Sequence, residues 1–358
     1  MLIDLLFILL FLTIFIKIKI VKPLSEFNND YMSKKSSNSY RGIFALIVIL
    51  HHIAQRVSGG VLPPDFTRVG YLAVSVFFFL SGYGLQTKNL SDPTYSQGFL
   101  LNRIPTILIP YVIMSFIYWL LYALLGDVRS LSVVLHNFIK NGDPIVWFSW
   151  YVVSILVFYF AFYVLMKIFK SNRRGMIFGG ILYYIIYVFI CQKLSFGLWW
   201  YSTSLFGVLG IFWASYEQKI LLFLKKYYLL VLLPCWVLFF VLAKYKWTIY
   251  WSMPSLWTEL VLVIVLAFLF LTGITALSLK VRFGNRFLDF LGKISFEIYM
   301  VQGALMLLTK NEHIYINNDF YWAVLVLSGS FLSAFMLNKL FSFILKKYRI
   351  LIENILNR

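Results

Sequence analysis

The sequence of 358 residues predicts an all-α, polytopic bundle of transmembrane helices, and three observations carry that reading. Hydrophobic residues make up 61% of the chain and its mean hydropathy is +0.83, which leaves too little polar surface to clothe a water-soluble domain. The apolar residues run in long continuous segments rather than in the short alternating ones of a membrane barrel, so the segments are helices. The charges alternate between the two ends of successive segments. With the N-terminus outside, 24 of the 32 lysines and arginines fall in loops and helix ends on the cytoplasmic side. That distribution follows the positive-inside rule and orients the chain with its N-terminus outside and its C-terminus in the cytoplasm. It also sets nucleic acid aside as the reason for the net charge of +18, because a nucleic-acid footprint gathers on one soluble face.

A hydrocarbon core of about 30 Å takes about 20 apolar residues per helix, and about eleven such spans are predicted. They lie at 2–19, 40–57, 69–87, 104–125, 146–169, 175–192, 198–215, 227–244, 256–279, 289–309 and 320–345. Residues 1–34 form an extra N-terminal span and a polar cytoplasmic linker, 35–345 the membrane domain, and 346–358 a basic cytoplasmic tail. The first span differs from a signal peptide: Lys17, Lys19 and Lys22 follow the apolar run, Asp4 precedes it, and no small-residue cleavage site is present. Cys191 and Cys235 fall in different spans near opposite ends, so no disulfide is expected between them.

The chemistry is expected in residues 40–58, a span that carries Arg41, His51, His52 and Arg56. An ionisable group in hydrocarbon costs roughly 3 kcal/mol or more on insertion scales, so such groups face a bundle interior or a wet cavity. Arg41 and His52 are eleven positions apart. At 3.6 residues per turn they return to within about 20° of one face with a rise of roughly 16 Å. One face then carries a cation at a membrane surface and an imidazole near mid-depth. His51 points about 100° away, so His52 is the candidate worker. Arg56, one turn further out, and burial both favour a neutral imidazole, which can take a proton from a hydroxyl as a general base. Arg41 alternatively reads as a headgroup anchor, His52 as a packing histidine and Arg56 as an outer interfacial residue.

Other candidates support that pair. Ser75, Ser81, Gly82 and Gly84 in the span that ends Phe-Phe-Phe-Leu-Ser-Gly-Tyr-Gly-Leu suit close helix packing, and Ser81 sits in no nucleophile-elbow frame. Arg103, at the cytoplasmic mouth of the next span, can pair with a phosphate as a planar fork. Glu259 and Glu297 are candidates for orienting His52 or lining a polar path, with a Glu297–Lys293 pair as the plainer reading. Ser295, Tyr299, Gln302 and Met306 form one stripe pointing into the bundle, which interhelical hydrogen bonding also explains. The aromatics at 147, 148, 150 and 151, with Trp199, Trp200, Trp247, Trp251 and Trp257, read as an interfacial belt, with sugar stacking the alternative. No zinc, P-loop or dinucleotide motif is present, so neither a metal nor a bound cofactor is expected. No internal repeat is visible, which speaks against a transporter of inverted halves.

Taken together, Arg41 to His52, Phe79-Leu-Ser-Gly-Tyr83, Phe99-Leu-x-x-Arg103 with Pro110-Tyr111, and Gly292-Lys-Ile-Ser-Phe-Glu-Ile-Tyr-Met300 resemble the acyltransferase 3 family of bacterial membrane acyltransferases in order and spacing. The resemblance implies about ten core helices that move an acyl group, usually acetyl from acetyl-CoA, onto hydroxyls of a surface polysaccharide or lipid-linked glycan. It implies acyl-transfer chemistry at His52 and a donor held by Arg41, with Arg103 neutralising phosphates. Three departures stand out: Thr106 where a second arginine often follows Arg103, Gln302 where a histidine often closes the Ser-Phe-x-Ile-Tyr motif, and the extra first span. With no esterase-like domain after the last span, the acceptor is expected to reach the membrane itself. The expected location is the bacterial cytoplasmic membrane. A transporter or flippase of a lipid-linked sugar is the alternative from another class, and an idle scaffold in a polysaccharide-synthesis complex is a third.

Overall fold

The computed structural model describes residues 1–23, 26–249 and 255–356, so Trp251 and Arg358 lie outside the described residues, as does the side chain of Trp247. Fifteen α-helices follow one another in the described residues. They are α1 (Leu2–Leu12), α2 (Lys34–Ala54), α3 (Pro63–Phe66), α4 (Gly70–Ser91), α5 (Phe99–Arg103), α6 (Pro105–Leu124), α7 (Leu131–Asn141) and α8 (Trp150–Phe169). The rest are α9 (Arg173–Lys193), α10 (Leu205–Lys226), α11 (Tyr228–Ile249), α12 (Leu256–Ser278), α13 (Arg286–Lys293), α14 (Ser295–Thr309) and α15 (Asp319–Leu356). One two-residue strand pair, β1 (Lys19–Ile20) with β2 (Val281–Arg282), is antiparallel. This is an all-α multi-pass membrane protein.

The number of spans departs from eleven. Seven described helices are long and apolar enough to cross a bilayer, or eight if the bent pair α13 and α14 counts as one. The first apolar segment covers only Leu2–Phe15, which falls short of the about 20 residues a crossing takes. Residues 198–204 do not join the helix expected there: a 3₁₀ turn holds Leu198–Trp200, and α10 starts at Leu205. The span expected at 289–309 is broken at Ile294, where α13 and α14 meet at a 76° bend. Glu297 therefore sits in the first turn of α14 rather than three turns into a continuous helix. The tail from 346 continues α15 as helix through Leu356.

Local chemistry sets the boundaries. The Ser33 hydroxyl accepts from the Ser36 amide and caps α2, and Asn285 does the same for Leu288 at the start of α13. α7 ends at Gly142, whose φ of +65° is the left-handed conformation that glycine adopts without penalty. Neither cysteine is paired.

Small residues decide which helices touch. A β-carbon on Gly82 of α4 would overlap the Gly207 carbonyl of α10, and one on Gly210 would overlap the Phe79 carbonyl. In the same way Gly42 of α2 faces the Leu288 carbonyl, and Gly292 of α13 faces that of Asn38. Without a hydrophobic drive between helices in lipid, such backbone contact is what holds a bundle together. Gly84 touches nothing of this kind, so only Gly82 of that motif is held by packing. Polar side chains add to the seam: Gln86 donates to Ser215 at 3.0 Å, and Tyr31 and Tyr83 both donate to Glu217 Oε1, at 2.7 and 2.9 Å.

The segment between α1 and α2 is fastened rather than loose. Asn28 donates to the Ser278 carbonyl at 3.1 Å, Lys280 Nζ donates to the Glu26 carbonyl, and Lys225 reaches Asn29 at 3.1 Å. At the other end of the bundle, Asp4 Oδ1 accepts from the Val61 and Leu62 amides.

Gly82→Leu forces α4 and α10 apart, because its side chain would strike the Gly207 carbonyl, and overpacking of this sort costs about 1–3 kcal/mol. A thermal-shift measurement in detergent is expected to show a clearly lowered unfolding temperature, while Gly84→Ala leaves it unchanged.

Candidate active site

Two cavities approach each other inside the bundle. The outer one, about 720 Å³, is lined by His51, His52, Tyr71, Lys246, Glu259 and Tyr299, among others. The inner one, about 430 Å³, is lined by Arg41, Ser81, Arg103, Glu297, Tyr299 and Gln302, among others. Val48, Val74 and Tyr299 line both, so the partition between the cavities is a single layer of side chains.

α2 places Arg41 in the inner cavity and His52 in the outer one. The His52 side chain does not face lipid: the residue is 6% exposed and forms part of the cavity wall. Its imidazole stacks on the Phe148 ring, with centroids 3.8 Å apart and planes 9° from parallel. Gln302, fully buried, flanks it. Neither His52 Nδ1 nor Gln302 Oε1 has a hydrogen-bond partner, although both atoms are buried. The His51 ring is 5.1 Å away and also lines the outer cavity. His51 Nδ1 donates to the Phe66 carbonyl at 2.9 Å, and its Nε2 accepts from Gln55 at 3.1 Å, so its two nitrogens are occupied.

Tyr299, on α14, donates its hydroxyl to the Phe148 carbonyl, and its ring lies 6.4 Å from His52. Phe148 holds a φ of +65°, a left-handed backbone that a bulky aromatic rarely adopts and that costs about 1–3 kcal/mol. The Tyr299 hydroxyl, the Ser149 amide on the Val146 carbonyl at 3.2 Å, and the stack on His52 together hold it there.

In the inner cavity Arg41 and Arg103 come from different helices, α2 and α5, and Lys293 adds a third cation. The Arg103 guanidinium reaches the Tyr95 hydroxyl at 3.4 Å, and Thr106 bonds back to the Arg103 carbonyl at 2.6 Å. Ser81 stands beside Tyr151. Glu297 accepts from Asn338 of α15 at 2.9 Å; among the described residues it forms no ion pair with Lys293. In the outer cavity Glu259 faces Lys246, which is 8% exposed and lies 5.2 Å over the Tyr71 ring. Arg56 is not brought to this site. α2 ends at Ala54, and the Arg56 guanidinium instead sits 4.7 Å over the Trp147 ring.

The end of α2 is secured from α15. Asp319 Oδ2 accepts from the Ser58 and Gly59 amides at 2.8 and 2.9 Å, and Oδ1 pairs with Lys310 at 3.0 Å. Lys310 in turn donates to the Arg56 carbonyl at 2.8 Å. None of these contacts, nor Asn338 beside Glu297, nor Phe148, Ser202, Thr203 and Lys246 at the outer cavity, was singled out from the sequence. Asn338 and Lys246 carried a weak signal as polar residues in apolar surroundings. Phe148 carried none that separated it from its aromatic neighbours.

The described helices thus place three cations, Arg41, Arg103 and Lys293, at one cavity and the His52 imidazole at the adjoining one. The chain belongs to the acyltransferase 3 family: the family's acyltransferase domain matches residues 35–347. It is also similar to the probable poly-beta-1,6-N-acetyl-D-glucosamine export protein of Staphylococcus aureus strain Mu50, at 23% identity over 74% of this chain and 80% of the relative. The counterpart in strain MRSA252 is 22% identical over the same shares. No solved structure matches the chain. Family membership indicates an acyltransferase.

Asp319→Ala removes the acceptor of two amides and the partner of Lys310. Bonds to a charged group contribute about 1.5–3 kcal/mol, so this variant is expected to unfold at lower denaturant or temperature than Asp319→Glu. Hydrogen exchange at residues 55–60 should rise with it; exchange equal to the unaltered protein would show that α2 is secured elsewhere.

Proposed function

We propose that the protein is an O-acyltransferase that takes an acyl group, acetyl from acetyl-CoA, and passes it to a hydroxyl of a cell-surface polysaccharide or lipid-linked glycan. The observation that carries this reading is the pair of cavities meeting at Tyr299, with His52 on the outer side and Arg41 and Arg103 on the inner. Arg41, Arg103 and Lys293 suit the phosphates of coenzyme A, and guanidinium groups bind such anions bidentately. Tyr71, Glu259 and Lys246 in the outer cavity suit a sugar, which offers hydroxyls to polar groups and a face to a ring.

In the reaction the neutral His52 imidazole accepts the proton of the acceptor hydroxyl as its oxygen bonds to the thioester carbonyl carbon. The carbon–sulfur bond then breaks, and the leaving thiolate takes up a proton, so that the imidazole is restored. Tyr299, Gln302 and Ser81 line the path of the acyl group between the cavities. Glu297 holds Asn338 and borders the donor cavity.

The orientation that suits this chemistry has the N-terminus outside and the C-terminus in the cytoplasm, which puts the donor cavity on the cytosolic side. Its support is that Lys225, Lys280 and the strand Lys19–Ile20, all expected on the cytoplasmic face, meet at one end of the bundle. The name of the relatives, an export protein, favours a second reading, export of the glycan itself.

Mass spectrometry of the surface polysaccharide separates the two. His52→Ala is expected to remove one acyl increment from the polymer while leaving the exported amount unchanged. Unchanged acylation with failed export would favour the exporter instead. Arg41→Gln is expected to raise KM for acetyl-CoA by about tenfold, equivalent to about 1.4 kcal/mol, with a smaller effect on kcat.

A further inference from the structure

A histidine that serves as general base is ordinarily held in place by a hydrogen bond from its second nitrogen to a carboxylate or carbonyl, which fixes both tautomer and ring plane. At His52 no carboxylate plays that part, and the polar side chain that flanks the ring is the buried amide of Gln302. The Nδ1 of His52 has no partner. Three carboxylates border the cavities, and none is bonded to the imidazole: Glu297 accepts from Asn338, Glu259 faces Lys246, and Asp143 is exposed. What fixes the plane of the imidazole is a flat ring laid against it: Phe148 at 3.8 Å and 9°.

Stacking on the face of an imidazole leaves both nitrogens, which react in the ring plane, uncovered by the stacked ring. It restrains rotation about the Cβ–Cγ bond without consuming a lone pair. The placement is also specific to this residue. Trp147 and Trp150, on either side of Phe148, turn elsewhere, to the Tyr122 hydroxyl at 2.6 Å and to the Trp200 ring at 6.4 Å. Only the left-handed backbone at 148 aims that ring at α2, and the Tyr299 hydroxyl on the Phe148 carbonyl ties this backbone to the wall shared by the cavities.

We propose that Phe148 is the positioning residue of His52, taking by ring stacking the part that an orienting carboxylate plays in other histidine bases. The inference rests on the reading of His52 as the base of acyl transfer.

The test uses the full-length protein in membrane vesicles, with radiolabelled acetyl-CoA and the cell's own polysaccharide as acceptor. Phe148→Gly removes the ring and accepts a positive φ, so the fold is kept. Its kcat is expected to fall about a hundredfold, the scale of a misplaced catalytic group, while KM for acetyl-CoA changes less than about twofold. Phe148→Tyr should restore the rate, and Phe148→Leu, which fills space without a flat face, should not. A wild-type rate in the glycine variant, or equal rescue by leucine and tyrosine, overturns the proposal.

A second measurement needs no acceptor: carbethoxylation of His52 by diethyl pyrocarbonate, followed by peptide mass spectrometry. The glycine variant should react several-fold faster than the unaltered protein, and equal rates overturn the stacking role. If the unaltered protein transfers no label to the glycan, the acyl-transfer reading falls by itself, and the carbethoxylation rates still decide whether Phe148 restrains the ring.

Discussion

The contact on which the site depends is the meeting of two backbones, α2 and α13, at Gly42 and Gly292. A side chain at either position would strike a carbonyl of the other helix. This contact puts the Arg41–His52 face of α2 beside the chain segment that turns, at Ile294, into α14. The 76° bend there directs Tyr299 and Gln302 toward the imidazole. Were α13 and α14 one straight helix, the stripe that carries Tyr299 and Gln302 would point along a different line.

The second constraint is the cost of a charge away from water. Arg41, Arg103, Lys293 and Glu297 border one cavity, and Lys246, Glu259, His51 and His52 border the other. Each group thus has a polar space or a partner, as a low-dielectric interior demands. The cations gather at the inner cavity, while the outer one mixes both signs with aromatic rings. That asymmetry suits the two substrates proposed above, a polyanionic donor and a neutral, hydroxyl-rich acceptor. Tyr299 stands between them, tied to the strained Phe148 backbone. A thin partition of this kind keeps the two spaces apart with only a layer of side chains between them.

The strain at Phe148 and the rigid fastening around the site belong to one design. Asp319 and Lys310 hold the chain just past His52, while Asn28, Lys280 and the β1–β2 pair hold the segment that leads into α2. Both ends of the key helix are therefore tied to other parts of the chain. A positive φ at an aromatic residue persists only where its surroundings over-determine it.

By itself the sequence determined the membrane class, the helical character and the placing of Arg41 and His52 on one helix. These follow from mean hydropathy, run length and the 3.6-residue period, all properties of a residue and its near neighbours along the chain. Ser81, Arg103, Glu259, Glu297, Tyr299 and Gln302 were legible as unusual polar groups in apolar surroundings, without their assignment to one cavity or the other. Tertiary structure alone decided that assignment, the break at Ile294, the short first helix, the exclusion of Arg56, and the stack of Phe148 on His52. Each of these rests on contacts between residues far apart in the chain or on one backbone angle, and neither leaves a periodic trace. An arginine two residues beyond a helix end has the same composition whether it turns toward the imidazole or over a tryptophan, and only packing tells the two apart.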